Sequence, residues 1–239
     1  MVHNTKSTRR RVKAMTKHGI DVSQWQGVID WDVVKASGKV DFVILKAGYG
    51  RYAAQIDPRF ERNYSECKRL GIPVGAYWYG YAVTEKEAKE EANACLTILK
   101  GKKLDYPLYY DVEEKPMLGT GKIDDIIKTF CCTTEQGGFF TGLYMSRSPL
   151  TAYVSTSVRN RFALWVAEYG PKCNYNGTYG MWQKSSEGTI PGIDGKVDLD
   201  ECYYDYPKII NGETEPVKKT MKITVEYDDH TFSGLLTEN

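Results

Sequence analysis

The stretch Tyr106-Pro-Leu-Tyr-Tyr-Asp-Val-Glu-Glu-Lys115 decides how this chain is read. Its apolar run has the character of a strand buried on both faces, and it closes on two acids, Asp111 and Glu113. In a strand, positions i and i+2 point to one face with α-carbons roughly 6–7 Å apart, so both carboxyls converge on one place. Packing gives no reason to put acids there. Two carboxyls, one holding its proton and one ionised beside it, are what hydrolysis of a glycosidic bond requires. The bland alternative is a pair of acids that caps the following loop.

Outward from this strand the chain alternates. Strand-like runs at 18–22, 41–47, 73–79, 141–145, 163–167 and 180–183 are interleaved with helical patterns at 59–70, 84–100 and 122–134, and a polar turn separates the first two runs. The helix at 84–100 is the clearest, with Thr84 as its cap and Glu87 at the capping-box position. Alternation of this kind predicts an α/β fold with a parallel sheet covered on both faces, either doubly wound and open or closed into a barrel. A length of 239 residues suits both.

Two further acids stand where such runs end: Asp21 in Gly-Ile-Asp-Val-Ser-Gln-Trp-Gln-Gly27 and Asp198 in Val-Asp-Leu-Asp200. In a barrel the carboxyl ends of the strands meet at one face, which makes neighbours of acids remote in sequence. Aromatics accompany them at Trp25, Tyr49, Tyr77, Trp78, Tyr79, Tyr109, Tyr110, Trp165 and Trp182, a set suited to stacking on sugar rings. Strand alternation allows only about half of these to face the barrel interior.

Other chemistries find little support. Gly48-Tyr-Gly-Arg-Tyr-Ala53 imitates a dinucleotide fingerprint, but Pro58 follows and no helix pattern opens for a phosphate. The acids at 194, 198, 200 and 201 lack the register of a calcium-binding loop. Three histidines form no zinc-peptidase motif, and the serine nucleophile motif is missing. Six cysteines without CxxC spacing read as reduced thiols. No metal or cofactor is expected. No apolar run of about 18 residues crosses a membrane, and the polar start lacks the apolar core of a signal peptide. Net charge is +1, yet residues 1–18 carry six basic side chains and no acid. Such an arm suits an anionic wall or serves as a plain tail; no nucleic-acid partner is expected.

Taken together, 19–27, Asp-Phe-Val-Ile-Leu-Lys-Ala-Gly-Tyr-Gly50, Gly-Ile-Pro-Val-Gly-Ala-Tyr-Trp-Tyr79, Tyr-Tyr-Asp-Val-Glu113 and Val-Asp-Leu-Asp200 resemble the glycoside hydrolase family 25 lysozymes, the N-acetylmuramidases of the Chalaropsis type found in bacteria and phage endolysins. The resemblance runs from about residue 17 to about 206. It implies an irregular, TIM-like (β/α) barrel with several helices missing, peptidoglycan as substrate, and cleavage between N-acetylmuramic acid and N-acetylglucosamine. It makes Glu113 the general acid, Asp111 the second carboxylate, and Asp21 and Asp198 the rest of an acidic floor. Substrate contacts are expected from Trp25, Tyr49, Tyr77, Tyr79, Tyr109, Trp165 and Trp182. Asp200 departs from the resemblance, which has Asn there.

The expected organisation is a basic arm at 1–16, the catalytic barrel at 17–210, a polar linker at 211–219 and a C-terminal β-hairpin at 220–239. That hairpin, marginal alone in water, is expected to pack on the barrel, a second copy or a larger particle. The expected setting is synthesis in a host cytoplasm and action on the wall after phage release or from a virion. The rivals are a catalytically silent glycan-binding or structural barrel, and a barrel glycosidase for another polymer.

Overall fold

The computed structural model describes residues 13–212, 220–227 and 230–237. The start of the predicted arm, the linker from 213 to 219 and the hairpin turn Asp228-Asp229 lie outside the described residues.

Eight strands close into a barrel in sequence order: β1 (Lys13–Val22), β2 (Phe42–Tyr49), β3 (Val74–Tyr79), β4 (Leu108–Asp111), β5 (Thr141–Ser146), β6 (Ala163–Ala167), β7 (Met181–Gly188) and β8 (Val197–Tyr204). The pairings from β1 through β7 are parallel, and β8 is antiparallel to both β7 and β1. The closed alternative is therefore the one adopted. Helices α1 (Trp31–Ala36), α2 (Phe60–Arg69) and α3 (Glu85–Ile98) follow the first three strands; α4 (Lys115–Leu118) and α5 (Ile123–Gln136) follow β4. After β5 come α6 (Arg147–Tyr153) and α7 (Thr156–Arg161), and α8 (Tyr206–Asn211) follows β8. No helix joins β6 to β7 or β7 to β8, so the barrel is irregular on that side.

Four details depart from the sequence reading. The polar turn after β1 contains α1, whose Asp30 cap accepts from Val33 N at 3.1 Å; with only Trp31 and Val34 buried, it is too short to show a helical period. Glu87 does not complete a capping box. Thr84 caps Glu87 N at 3.2 Å, but the Glu87 carboxylate accepts from Val83 N instead of Thr84 N. Strand β1 begins at Lys13, inside the segment assigned to the arm, and pairs there with Tyr204. Finally, Asp198 opens a strand instead of ending one. The connection from β7 holds Pro191-Gly192 and Gly195, both glycines at positive φ, and is too short for a crossover, so the chain turns back and β8 enters at the face where the parallel strands finish.

Alternation sorts the side chains into two layers. Val43, Leu45, Val74, Ala76, Leu108, Tyr110, Leu143 and Val166 face outward under the helices. Phe42, Ile44, Tyr109, Trp165, Met181 and Cys202 fill the barrel from within. A side chain on the inward face of Gly142 would come within 2.6 Å of the Tyr109 ring, so the glycine is what lets that ring in.

Strands β9 (Thr220–Tyr227) and β10 (His230–Thr237) form a separate antiparallel pair. Its register sets Met221 opposite Leu236, Val225 opposite Phe232 and Tyr227 opposite His230.

Candidate active site

The site is built on the carboxyl ends of β1 to β6 and the opening of β8. Antiparallel register sets Asp21 opposite Asp198, and parallel register sets Tyr79 beside Asp111 and Asp111 beside Tyr144. The four acids of the sequence reading are thereby gathered at one end of the barrel, close enough for their charges to act on each other.

Asp21 and Asp111 are each only 5% exposed, whereas Glu113, just past the end of β4, keeps its access to solvent. Asp21 Oδ2 accepts from Gln183 Nε2 at 2.8 Å, and Gln183 Oε1 accepts from Tyr144 at 2.9 Å and Tyr169 at 3.3 Å. Asp111 Oδ1 is buried without a hydrogen-bond partner among the described residues. The Tyr79 hydroxyl donates to Glu114 Oε1 at 2.7 Å. Lys46 Nζ, on the inward face of β2, lies 4.7 Å from the Tyr79 ring centroid and 5.8 Å from those of Tyr77 and Tyr49.

Crowding acids into a dry place disfavours their charged forms. Burial, and then the charge of Asp198, push Asp21 up to about 8. Burial followed by Glu113 takes Asp198 to about 6. Asp111 goes well above the carboxylate range through burial and Glu113, with Lys46 opposing. Partial burial raises Glu113 as well; Tyr79 and Lys46 work against it and Glu114 with it. The cluster therefore takes up protons more readily than free carboxyls do, and Asp21 most clearly. An accessible carboxyl that keeps its proton above buried carboxyls that stabilise positive charge is the equipment of a glycosidase.

The sequence signature of glycosyl hydrolases family 25 matches residues 20–193, most of the barrel. The chain belongs to that family. It is 29% identical to the autolytic lysozyme of Clostridium acetobutylicum, over 77% of this chain and 55% of that protein. The modular autolysin LytC of Streptococcus pneumoniae, solved with a synthetic peptidoglycan ligand, is similar in fold with a TM-score of 0.72 and 31% identity, over 79% of this chain and 47% of that one. The catalytic domain of endolysin ply40, from bacteriophage P40 of Listeria monocytogenes, is similar with a TM-score of 0.69 and 26% identity, over 83% of this chain and 98% of that one. The chain thus spans about half the length of the two longer proteins. Asp198 and Asp200 lie beyond the matched stretch, and their place in the site rests on the barrel geometry.

In this family 25 barrel the expected aromatic contacts divide into two groups. Trp25 is 80% exposed on the 3-10 turn after β1, which Asp57 ties down by accepting from Gln24 N at 2.9 Å. Tyr49, Tyr77 and Tyr79 surround Lys46 at the mouth. Tyr109 and Trp165 offer no surface to a sugar: they pack in the barrel interior with ring centroids 5.2 Å apart. Trp182 is correspondingly buried on the other face of β7, where its Nε1 donates to Glu168 O at 2.7 Å. Alternation explains all three, because β4 and β6 point these rings down the barrel and β7 turns Trp182 outward.

Lys46, Gln183, Tyr144, Tyr169 and Glu114 complete the surroundings and were not singled out in the sequence. A lysine on the inward face of an apolar strand, in Val-Ile-Leu-Lys-Ala47, was the one available signal.

Proposed function

We propose that the barrel is a lysozyme, an N-acetylmuramidase that cleaves the β-1,4 bond between N-acetylmuramic acid and N-acetylglucosamine. The observation that carries this reading is the solvent-open Glu113, raised in pKa, at the rim of a floor made by Asp21, Asp111 and Asp198. Glu113 donates its proton to the leaving oxygen. Asp111, through its unpartnered Oδ1, meets the N-acetyl group of the sugar being cleaved. Asp198, taken only to about 6, is ionised at neutral pH and sets negative charge beneath the anomeric carbon as positive charge develops there, and Asp21 adds to it in its ionised form. Lys46 offsets part of this negative charge and keeps the cluster from protonating throughout. Tyr49, Tyr77, Tyr79 and Trp25 line the approach for the sugar chain.

Reducing-end analysis of digested peptidoglycan tests the bond. Muramic acid at the new ends supports the reading, and glucosamine ends contradict it. The wall is also the partner of the basic segment before β1, an attachment that salt weakens. The hairpin of β9 and β10 serves contact with a second copy or a larger particle, since its sequence is rich in apolar residues and a two-stranded pair is marginal alone in water. Truncation after Asn211 is then expected to alter light scattering or wall binding while leaving turnover of soluble glycan chains unchanged. No helix among the described residues is long and apolar enough to cross a membrane.

A further inference from the structure

Glu91, on α3, is a fully buried acid for which the chemistry above has no use. Both of its oxygens are occupied. Oε1 accepts from the backbone N–H of Tyr81 at 2.8 Å, and Oε2 is bonded to the Tyr110 hydroxyl at 2.6 Å. A backbone N–H can only donate, so the first contact has the same sense whether Glu91 is ionised or protonated. Sinking a carboxyl among apolar side chains costs free energy unless donors meet it, and one donor here is the chain just beyond β3.

That segment is held at each step. Gly80 N donates to Asp111 O at 2.9 Å, which carries the β3–β4 pairing one residue further, and a side chain at Gly80 would collide with the Tyr110 ring. Tyr81 N then goes to Glu91, Ala82 is buried, and Val83 N donates to the Glu87 carboxylate at 2.8 Å before Thr84 caps α3. The spacing of Tyr77, Tyr79 and Tyr81 by two continues the alternation of β3 past its end, and the rings meet accordingly. The Tyr81 centroid lies 5.1 Å from that of Tyr79 and 6.2 Å from that of Tyr49, two of the tyrosines that surround Lys46 at the mouth. Tyr81 nevertheless stays half exposed. The core gains little from fixing such a ring, whereas a binding surface gains from it, because a side chain already in place loses less freedom when a ligand arrives.

We propose that Tyr81 is a further substrate-binding residue, an outer platform on which a sugar ring of the glycan chain stacks beyond those held at Tyr79, and that Glu91 is the positioning residue that keeps it there. The proposal rests on the lysozyme reading for the identity of the glycan. It does not rest on it for the platform, since an aromatic face offers the same apolar surface to any pyranose ring.

The test uses the full chain and soluble peptidoglycan glycan chains freed of their peptides. Tyr81→Ala is expected to raise KM about two- to tenfold, with kcat within about twofold and the melting temperature unchanged, as for contacts made equally in the ground and transition states. Tyr81→Phe keeps the ring and should bring KM back to within about twofold of wild type. An unchanged KM in Tyr81→Ala, or an equal rise in Tyr81→Phe, overturns the platform. Glu91→Met keeps about the same volume but has no acceptor for Tyr81 N, and should reproduce the KM of Tyr81→Ala; Glu91→Gln, which retains an oxygen there, should restore it. Added to Tyr81→Ala, Glu91→Met should raise KM no further, because both changes remove one platform. A further rise, or a wild-type KM in folded Glu91→Met, refutes the positioning role. Amide hydrogen exchange of the wild type decides the same point without that variant: the Tyr81 N–H should exchange at least about 100-fold more slowly than an unprotected amide, and exchange at the unprotected rate refutes it. Calorimetric binding of soluble β-1,4-linked N-acetylglucosamine oligomers separates the two readings. If the wild type does not cleave peptidoglycan but Tyr81→Ala still weakens oligomer binding, the lysozyme reading falls and the platform stands; binding unaltered by Tyr81→Ala removes the platform.

Discussion

The two halves of the barrel interior are built by the same strands and hold opposite chemistry. Toward the strand starts, Phe42 stacks on Tyr106 with centroids 4.4 Å apart, and Tyr109 and Trp165 close the space above. A register step or two further along β1 and β4, and at the opening of the antiparallel β8, the inward positions are Asp21, Asp111, Asp198 and Asp200. Rings gain free energy when water leaves, whereas carboxylates lose it unless they keep protons or find donors. The ring half therefore stabilises the barrel, and the acid half draws on that stability to hold raised pKa values.

The sharpest way to break this division is to change one half and measure the other. Glu113→Gln removes a transferable proton and leaves the ring half untouched, so kcat should fall about 100- to 10,000-fold with the melting temperature unchanged. Turbidity clearance at the wild-type rate would contradict this. Phe42→Ala acts from the other side. Emptying a fully buried ring position should cost about 3–5 kcal/mol of stability, read by denaturant melts, while the surviving folded fraction keeps its kcat.

A third test concerns pH. Asp21 titrates in the native state at about 8, against roughly 4 in the unfolded chain, so the native state binds more protons between those values and stability falls as pH rises from 4 to 8. Asp21→Asn, which cannot ionise, should melt higher than wild type at pH 8 by at least ~2–4 °C and show a smaller gain at pH 4, with activity lost at both. Equal gains at the two pH values would mean that Asp21 is not the group responsible. The smallest effect belongs to the rim. Trp25→Ala should raise KM on soluble glycan chains about two- to tenfold and leave kcat and melting temperature alone, as for an exposed stacking surface.

Legibility in the sequence followed periodicity. The strands from β1 to β7 were readable because apolar runs alternate with helices, and Asp111 and Glu113 because two acids spaced by two must share a face. Strand β8 was missed, although its neighbourhood was noticed for Asp198. Its inward positions there are Asp198 and Asp200, so the usual rule that the core-facing side is apolar runs in reverse. Helix α1 escaped because six residues do not complete two turns. The rings of Tyr109, Trp165 and Trp182 were read as substrate contacts because sequence gives a side chain its face but not its depth in the barrel.

The sequence by itself determined the fold class, the family and the four acids, since these depend on local order: alternation along a strand, the length of a run, the identity of the residue at its end. Only the tertiary structure decided what those acids are. Closing the barrel through an antiparallel β8 set Asp198 opposite Asp21, placed Lys46 among the tyrosines, aimed Gln183 at Asp21 and sank Asp200 beneath it. The free energy of a charge depends on burial and on neighbours within a few ångströms, and both are set by contacts between residues far apart along the chain.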